Sequence, residues 1–499
     1  MKNAFRINTA YPLLAALLVL AGCSLAPTYE RPAAPIPTAY KEAAVAPDKW
    51  KTAEPAEHQT RGTWWSVFND EELDRLETQA ADANQDLKAA AARLAQARTF
   101  LKTAQADRFP QVDAGFGPTR EKPSAASLGL PDGAHTPITT IWRAQVGASY
   151  EVDLFGRVAD NVAAAGADVQ RSEALFESVR LALQADVAQA YFQIRELDAE
   201  SALYVRTVSL REQTLDLLQK RFSAGDIGEL DVTRGKTELA SARSEALGVA
   251  RRRAEAEHAL AVLLGQPPAG FAFTPKPIDR VTFGVPSGLP SSLLERRPDI
   301  AAAERAMAAA NSRVGVAKSA FFPSLILTGA AGYESADLSD LLKWSSRTFL
   351  VGPLVGTMLS LPIFDGGRRQ AGLDRARAAY EEDVASYRQT VLNAFREVED
   401  GLAALRYLDE RIVAQDEAVS SSARAAQLSR TQYKEGAISY LDVMDSDRNL
   451  LTQQRLAAQI DGERARSTID LIRALGGGWH APDMAAAPPV AGRRVADAR

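Results

Sequence analysis

The chain of 499 residues carries 58 basic and 63 acidic side chains and a formal net charge of −5. That balance excludes a strongly basic nucleic-acid binder, so no nucleic acid is expected among its partners. The four histidines, His58, His135, His258 and His480, are scattered without ligand spacing, and a single cysteine rules out a disulfide within the chain; no metal site is expected.

Lys2 and Arg6 form a basic n-region, and residues 13–20 form an apolar h-region too short to span a bilayer. Residues 1–22 therefore read as a leader, whose removal with two cations takes the net charge from −5 to −7. The leader ends at Leu20-Ala21-Gly22-Cys23, which resembles the bacterial lipobox, in which the cysteine is lipidated and becomes the mature N-terminus. The alternative is an ordinary cleaved leader with an incidental cysteine. Ser24 stands where an aspartate would be the usual inner-membrane retention signal, so the resemblance implies sorting to the outer membrane. No cofactor is expected beyond the covalent lipid on Cys23.

Residues 23–62 are rich in proline and alanine, with Pro27, Pro32, Pro35 and Pro37, and should be extended without a core of their own, a tether to the lipid. The folded body opens at Thr63-Trp64-Trp65, a packing anchor, followed by a capped helix at Asn69-Asp70-Glu71-Glu72-Leu73 and another over about 86–108. At Phe109-Pro110 the period changes from helical to alternating. Strands are expected at about 111–119 and 141–154. In the second, Trp142, Ala144, Val146, Ala148, Tyr150, Val152 and Leu154 face one way, and Arg143, Gln145, Gly147, Ser149, Glu151 and Asp153 face the other. Such alternation fits either a soluble sheet or a membrane barrel.

From Arg157 to Ala224 there is no proline, and Phe176, Val179, Leu183, Val187, Ala190, Ile194 and Leu197 recur at gaps of three and four. This is a coiled-coil seam on a helix of roughly 70 residues, on the order of 100 Å long. A partner helix runs back over about 230–264, and the bend between the two is the turn at 221–232.

That turn occurs twice. The aromatic, glycine, isoleucine and Leu-Asp-Val of 221–232 return, displaced by 211 residues, in 432–443. Gly225 and Gly436 read as the glycines that end the first helix of each hairpin. The second helices close alike on Leu264-Gly265 and Leu475-Gly476. A duplication of this kind turns 499 residues into one architecture of two halves. The first repeat is 63–268, a proline-rich linker covers 269–295, the second repeat is 296–478, and 479–499 reads as a disordered tail. Strands of the second repeat are expected at about 323–334 and 349–363, and Phe364-Asp365-Gly366-Gly367-Arg368 opens its long helix. In that helix Val398, Leu402, Leu405 and Leu408 lie 211 positions after Val187, Tyr191, Ile194 and Leu197.

Each half thus supplies two strands. If the four strands lie in a membrane they cannot close a barrel, and open edges in lipid cost several kcal/mol per unsatisfied group, so the chain must oligomerise. Two copies would supply eight strands and three copies twelve, both permitted counts.

The lipobox, residues 63–70, the Phe-Asp-Gly-Gly-Arg opening and the duplicated turn together resemble the outer membrane factor family, TolC-like, in its NodT/OprM lipoprotein branch. The resemblance covers 23 to about 478. It implies a mainly α fold with a transmembrane β-barrel: a homotrimer with a 12-stranded barrel in outer membrane lipid and an α-barrel in the periplasm. It further implies the exit duct of a tripartite efflux system for drugs or other small toxic compounds. The partners would be a periplasmic adaptor and an inner-membrane transporter.

By the same resemblance the turns are a periplasmic gate, with Asp442 and Asp445 in the second repeat and Asp231 in the first matching entrance acids, and Tyr433 matching a tyrosine of the gate network. The chain departs from that pattern at Ile438, where the pattern has an arginine. Ser439-Tyr440-Leu441-Asp442 is also a capping-box pattern, which alone accounts for an acid at 442. Asp445 lies beyond the capping positions on the same face, where three-fold symmetry would make a carboxylate ring; a solvated helix face is the alternative. The adaptor is assigned to Ala224, Gly225, Asp226, Ile227 and Gly228, and to Glu435, Gly436, Ala437, Ile438 and Ser439, whose glycines also serve as caps. An enzyme is the least favoured class, because no nucleophile-base set, phosphate loop or paired acid motif is present. A purely helical periplasmic lipoprotein would not need the strand at 142–154. Protein-secretion and heavy-metal conduits are the alternatives within the duct class.

Overall fold

The computed structural model describes residues 24–33, 37, 39–42, 62–278, 297–351 and 358–477. Cys23, the leader, most of the linker and the tail lie outside the described residues. A 3₁₀ turn at Trp64–Phe68 precedes α1 (Glu71–Ala83) and α2 (Gln85–Ala106). Strands β1 (Gln111–Glu121) and β2 (Thr139–Val152) lead to α3 (Arg157–Ser223) and α4 (Glu229–Leu263). The second half repeats the order with α5 (Pro298–Ser319), β3 (Ser324–Ser335), β4 (Arg347–Val351), β5 (Met358–Ser360), α6 (Arg368–Lys434) and α7 (Tyr440–Ala474). The two long helices are 67 residues each and their partners 35 each. Among the described residues no helix is long and apolar enough to cross a membrane.

The chain divides into two units. One holds the described residues of 24–33, 93–173 and 302–387 and contains the sheet. All its strands are antiparallel, in the order β1-β2-β3-β4, with β5 also on β3. The register pairs Gln111 with Ser149 and Glu121 with Thr139, and then Trp142 with Ser335 and Val152 with Leu325. A period of two therefore gathers Arg143, Gln145 and Ser149 on one face and Trp142, Val146 and Tyr150 on the other. On the polar face Arg143 bridges Glu334 at 2.9 Å and Glu121 at 3.6 Å. On the apolar face Phe116 stacks on Trp142 at 5.9 Å, and Val112, Phe116, Val146 and Phe349 are all more than half exposed. The fourth strand was expected to run on to 363 but its last segment ends at Ser360. Pro362 has no N–H to give a ladder, and Ile363 and Phe364 are exposed.

Both long helices start under an aspartate that precedes a positive-φ glycine. Asp153 accepts from the amides of Val158 and Ala159, and Asp365 from those of Gly367 and Arg369. Gly156, Gly366 and Gly367 supply the left-handed backbone. Residues 24–31, expected to be extended without a core of their own, lie in side-chain contact with the helices of this unit: Tyr29 donates to Glu304 at 2.7 Å and Arg31 to Tyr387 at 3.0 Å.

The other unit holds the described residues of 37–92, 174–301 and 388–477. Its core keeps the register of the duplication, since Val187, Tyr191, Ile194 and Leu197 are buried, and so are Val398, Leu402, Leu405 and Leu408. Trp64 and Trp65 are buried too, Trp64 donating to Gln184 at 3.1 Å. Asp70 caps α1 through the amides of Glu72 and Leu73 and also accepts from Tyr191. Arg195 is held between the rings of Tyr191 and Phe273 at 4.8 and 4.3 Å. Tyr40 is buried, and the amides of Lys41 and Glu42 donate to Glu399.

Candidate functional site

The two turns have the same backbone. In the first, the Gly225 amide donates to Phe222 O at 3.0 Å and the Asp226 amide to Arg221 O at 3.0 Å; in the second, Gly436 donates to Tyr433 O and Ala437 to Gln432 O. This is the Schellman closure, which needs a left-handed residue at the glycine, and φ is 82° at Gly225 and 76° at Gly436. A Cβ at either would meet nothing within 4 Å, so an alanine is penalised by conformation alone. Gly225→Ala and Gly436→Ala should each lower stability by about 1 kcal/mol, read from urea unfolding of the purified chain. No loss at either would mean the turn relaxes into another closure. The same closure recurs at Gly265-Gln266 and Gly476-Gly477. The turn residues 224–228 and 435–439 are exposed except for Ile227 and Ile438, which are half-buried.

Between the turns lies a small core of Leu218 from α3, Val232 from α4, and Tyr440, Val443 and Met444 from α7. Ile227, Ile438 and Tyr433 pack against it. Ile438, where the family pattern has an arginine, is therefore an apolar contact here. The Tyr433 ring lies 5.7 Å from that of Tyr440, and its hydroxyl accepts from Arg221 at 2.9 Å with the guanidinium over the ring at 5.4 Å. Tyr433 thus ties the second turn to the last helical turn of α3.

The acids are distributed unequally. Asp442 accepts from the Ser439 amide at 3.0 Å and its hydroxyl at 2.7 Å, closing the capping box, and these bonds hold its carboxyl below the usual range. Asp231 lies 3.6 Å from Arg234 on its own helix. Asp445 is exposed, 3.5 Å from Arg448. Arg448 itself turns to Glu238 of α4, with Nε 2.9 Å from Oε1. Glu238 also binds Arg211 of α3 at 3.0 Å, so one buried carboxylate joins α3, α4 and α7. Arg430 pairs with Asp447 at 2.7 Å, and the Asp447 carboxyl is raised by burial in spite of that cation. Burial first, then Glu238 and Asp447, push the Tyr440 phenol up to about 12.

The described residues include no group of acids, histidines and cysteine that could hold a metal ion. A family model described as "Outer membrane efflux protein" matches residues 76–266 and 289–477, one match on each half of the duplication. The chain belongs to the outer membrane efflux protein family. It is 36% identical over 489 residues to outer membrane protein OprJ of Pseudomonas aeruginosa, spanning 96% of this chain and 97% of OprJ. It is 33% identical over 468 residues to cation efflux system protein CusC of Escherichia coli, spanning 93% and 97%. The crystal structure of the CmeC outer membrane channel of Campylobacter jejuni matches with a TM-score of 0.84 at 26% identity, covering 92% of this chain and 96% of that one.

Of the four expected gate residues, the structure links Tyr433 to the other repeat, gives Asp442 to a cap, and leaves Asp231 and Asp445 beside arginines of their own helices. Arg221, Arg211, Glu238 and Arg448 were not singled out in the sequence. A signal existed for Glu238, an acid within the buried stripe Val232, Gly235, Leu239 and Ala242 of this efflux protein's α4. The lipidation assigned to Cys23 falls outside the described residues.

Proposed function

We propose that three copies of this outer membrane efflux protein assemble into a passive exit duct, their sheets closing a twelve-stranded barrel in the outer membrane and their helix hairpins forming a helical barrel in the periplasm. The observation that carries this reading is the sheet. It has outer edges at β1 and β4 and an exposed apolar face of Val112, Phe116, Val146 and Phe349. In lipid such edges must pair with further strands, and such a face is satisfied by acyl chains. Lipid on Cys23 adds an anchor.

The duct receives small toxic compounds from an inner-membrane transporter through a periplasmic adaptor, and the adaptor docks on 224–228 and 435–439. The two turns present different surfaces to it, because α4 is capped by Gly228 without a side chain and α7 by the Ser439–Asp442 box. At rest the gate is held within each protomer by Arg221–Tyr433 and by the Arg211–Glu238–Arg448 hub. Asp445, exposed and outside the cap, forms the carboxylate ring at the three-fold axis.

Single-channel recording in planar bilayers tests this, with wild type and Asp445→Ala purified from outer membranes. Wild type should give a cation-selective pore blocked by multivalent cations. The variant should weaken that block roughly tenfold or more, since each lost charge pair is worth about 1 kcal/mol in water. A pore with unaltered block would remove Asp445 from the gate, and no pore from folded trimer would overturn the duct.

A further inference from the structure

The first residues after the cysteine occupy a cradle built from both repeats within the sheet-bearing unit. Ser24 donates its hydroxyl to Asp160 of α3 at 2.7 Å, and the same hydroxyl accepts the Ala26 amide at 3.2 Å. On α5, Asn311 donates to Pro27 O at 2.7 Å, and Glu304 accepts from the Tyr29 hydroxyl at 2.7 Å. Gly315, also on α5, is the floor. A Cβ there would come within 2.7 Å of the Ala26 Cβ and would collide with the Asp160 carboxylate. Asp160 is 4% exposed, and its second oxygen has no hydrogen-bond partner.

The geometry points to a receptor site for the chain's own mature N-terminus, in which Asp160 reads residue 24 and accepts a hydroxyl donor but rejects an acid. Two features carry this. The cradle is shaped to the strap, because the absence of a side chain at Gly315 is what admits Ala26 beside Asp160. It is also selective, because Asp160 offers only acceptors to the residue at 24. A hydroxyl satisfies one of them, whereas a carboxylate at the exposed residue 24 would set a like charge against the buried Asp160, with only the Ala26 amide as donor between them. The residue following the lipidated position is thus constrained by the fold as well as by sorting, and the anchor leaves the body at a fixed place.

The strap includes Tyr29, half-buried and hydrogen-bonded to Glu304, whose peptide bond is a chymotrypsin site that the protease can fit only when the strap lifts. Full-length wild type, Ser24→Asp, Ser24→Asp/Asp160→Asn and Gly315→Ala would be purified from total membranes and the rate of cleavage at Tyr29 followed by mass. Ser24→Asp and Gly315→Ala should be cut about tenfold faster than wild type, the order expected when a buried acceptor loses its donor or a strap its seat. The double variant should return to within about twofold of wild type, because the side-chain amide introduced by Asp160→Asn can donate to the new carboxylate. Ser24→Asp and the double variant share residue 24 and so share its sorting behaviour, which leaves position 160 as the only difference between them. Wild-type rates for Ser24→Asp, or equally fast cleavage of single and double variants, would overturn reading by Asp160. Wild-type rates for Gly315→Ala, which keeps Ser24, would overturn the cradle itself.

Discussion

Glu238→Ala is expected to destabilise the chain by about 3–5 kcal/mol, the range for removing one partner of a buried ion pair. The loss follows from what remains behind. Arg211, its side chain 14% exposed, donates to the Glu238 carboxylate at 3.0 Å and to the Glu238 carbonyl at 2.6 Å. With the carboxylate gone, Arg211 keeps one bond and a largely buried charge near Tyr440, offset only by Asp447, which is already paired with Arg430. Arg448 suffers less, because its side chain is 51% exposed and can turn to water or to Asp445, so its share is discounted. Arg211→Ala/Glu238→Ala should therefore recover much of the loss that Glu238→Ala alone incurs, while Arg448→Ala/Glu238→Ala should recover little. Urea unfolding of the four proteins measures both differences. A Glu238→Ala loss below about 1 kcal/mol would mean the hub is solvated, and with it the proposed resting latch would fall. In bilayers the same variant should conduct in more frequent openings, because the link from α4 to α7 is the one it removes.

The hub also marks the limit of what the sequence discloses. The 211-residue register was legible because each repeat must bury its own seam, and Val187, Ile194, Val398 and Leu405 are buried where the period places them. The caps were legible for the same reason: a glycine or a Ser-x-x-Asp acts on residues three to five positions away, and Gly225, Gly436 and Asp442 do so. Pairs that join distant residues leave no such trace. Arg211 meets Glu238 across 27 residues, Arg448 meets Glu238 across 210, and Arg221 meets Tyr433 across 212. The N-terminal segment shows the same limit. Its proline and alanine content predicts an extended chain, but the seat at Ala26 belongs to Gly315, and the donor to Pro27 belongs to Asn311. Composition describes a segment, and docking depends on what another helix leaves open.

Glu77→Leu should stabilise the chain at neutral pH by about 1–3 kcal/mol, the desolvation cost of a buried polar group without a bond. Glu77 sits on α1 among Leu73, Leu76 and Ala80, is 1% exposed, and neither of its carboxylate oxygens has a hydrogen-bond partner. Burial first, and then the charge of Asp74, hold its carboxyl well above the usual range. The unfolded chain releases this proton near pH 4.3, at about the free glutamate value, whereas the folded chain retains it to a higher pH. Between those two values the unfolded state binds fewer protons, so stability falls as pH rises through that window and is least above it. Leucine has no proton to lose, so its advantage should be small at about pH 4, grow through the window, and level off above the folded value. Thermal unfolding of both proteins across that range gives the difference directly. A constant advantage would attribute the gain to packing alone, and a loss at every pH would mean that Glu77 has a cationic or hydrogen-bonded partner in the assembled protein. Asp74→Asn separates the two causes, since it removes only the neighbouring charge: the window should shift towards lower pH while most of the burial penalty stays.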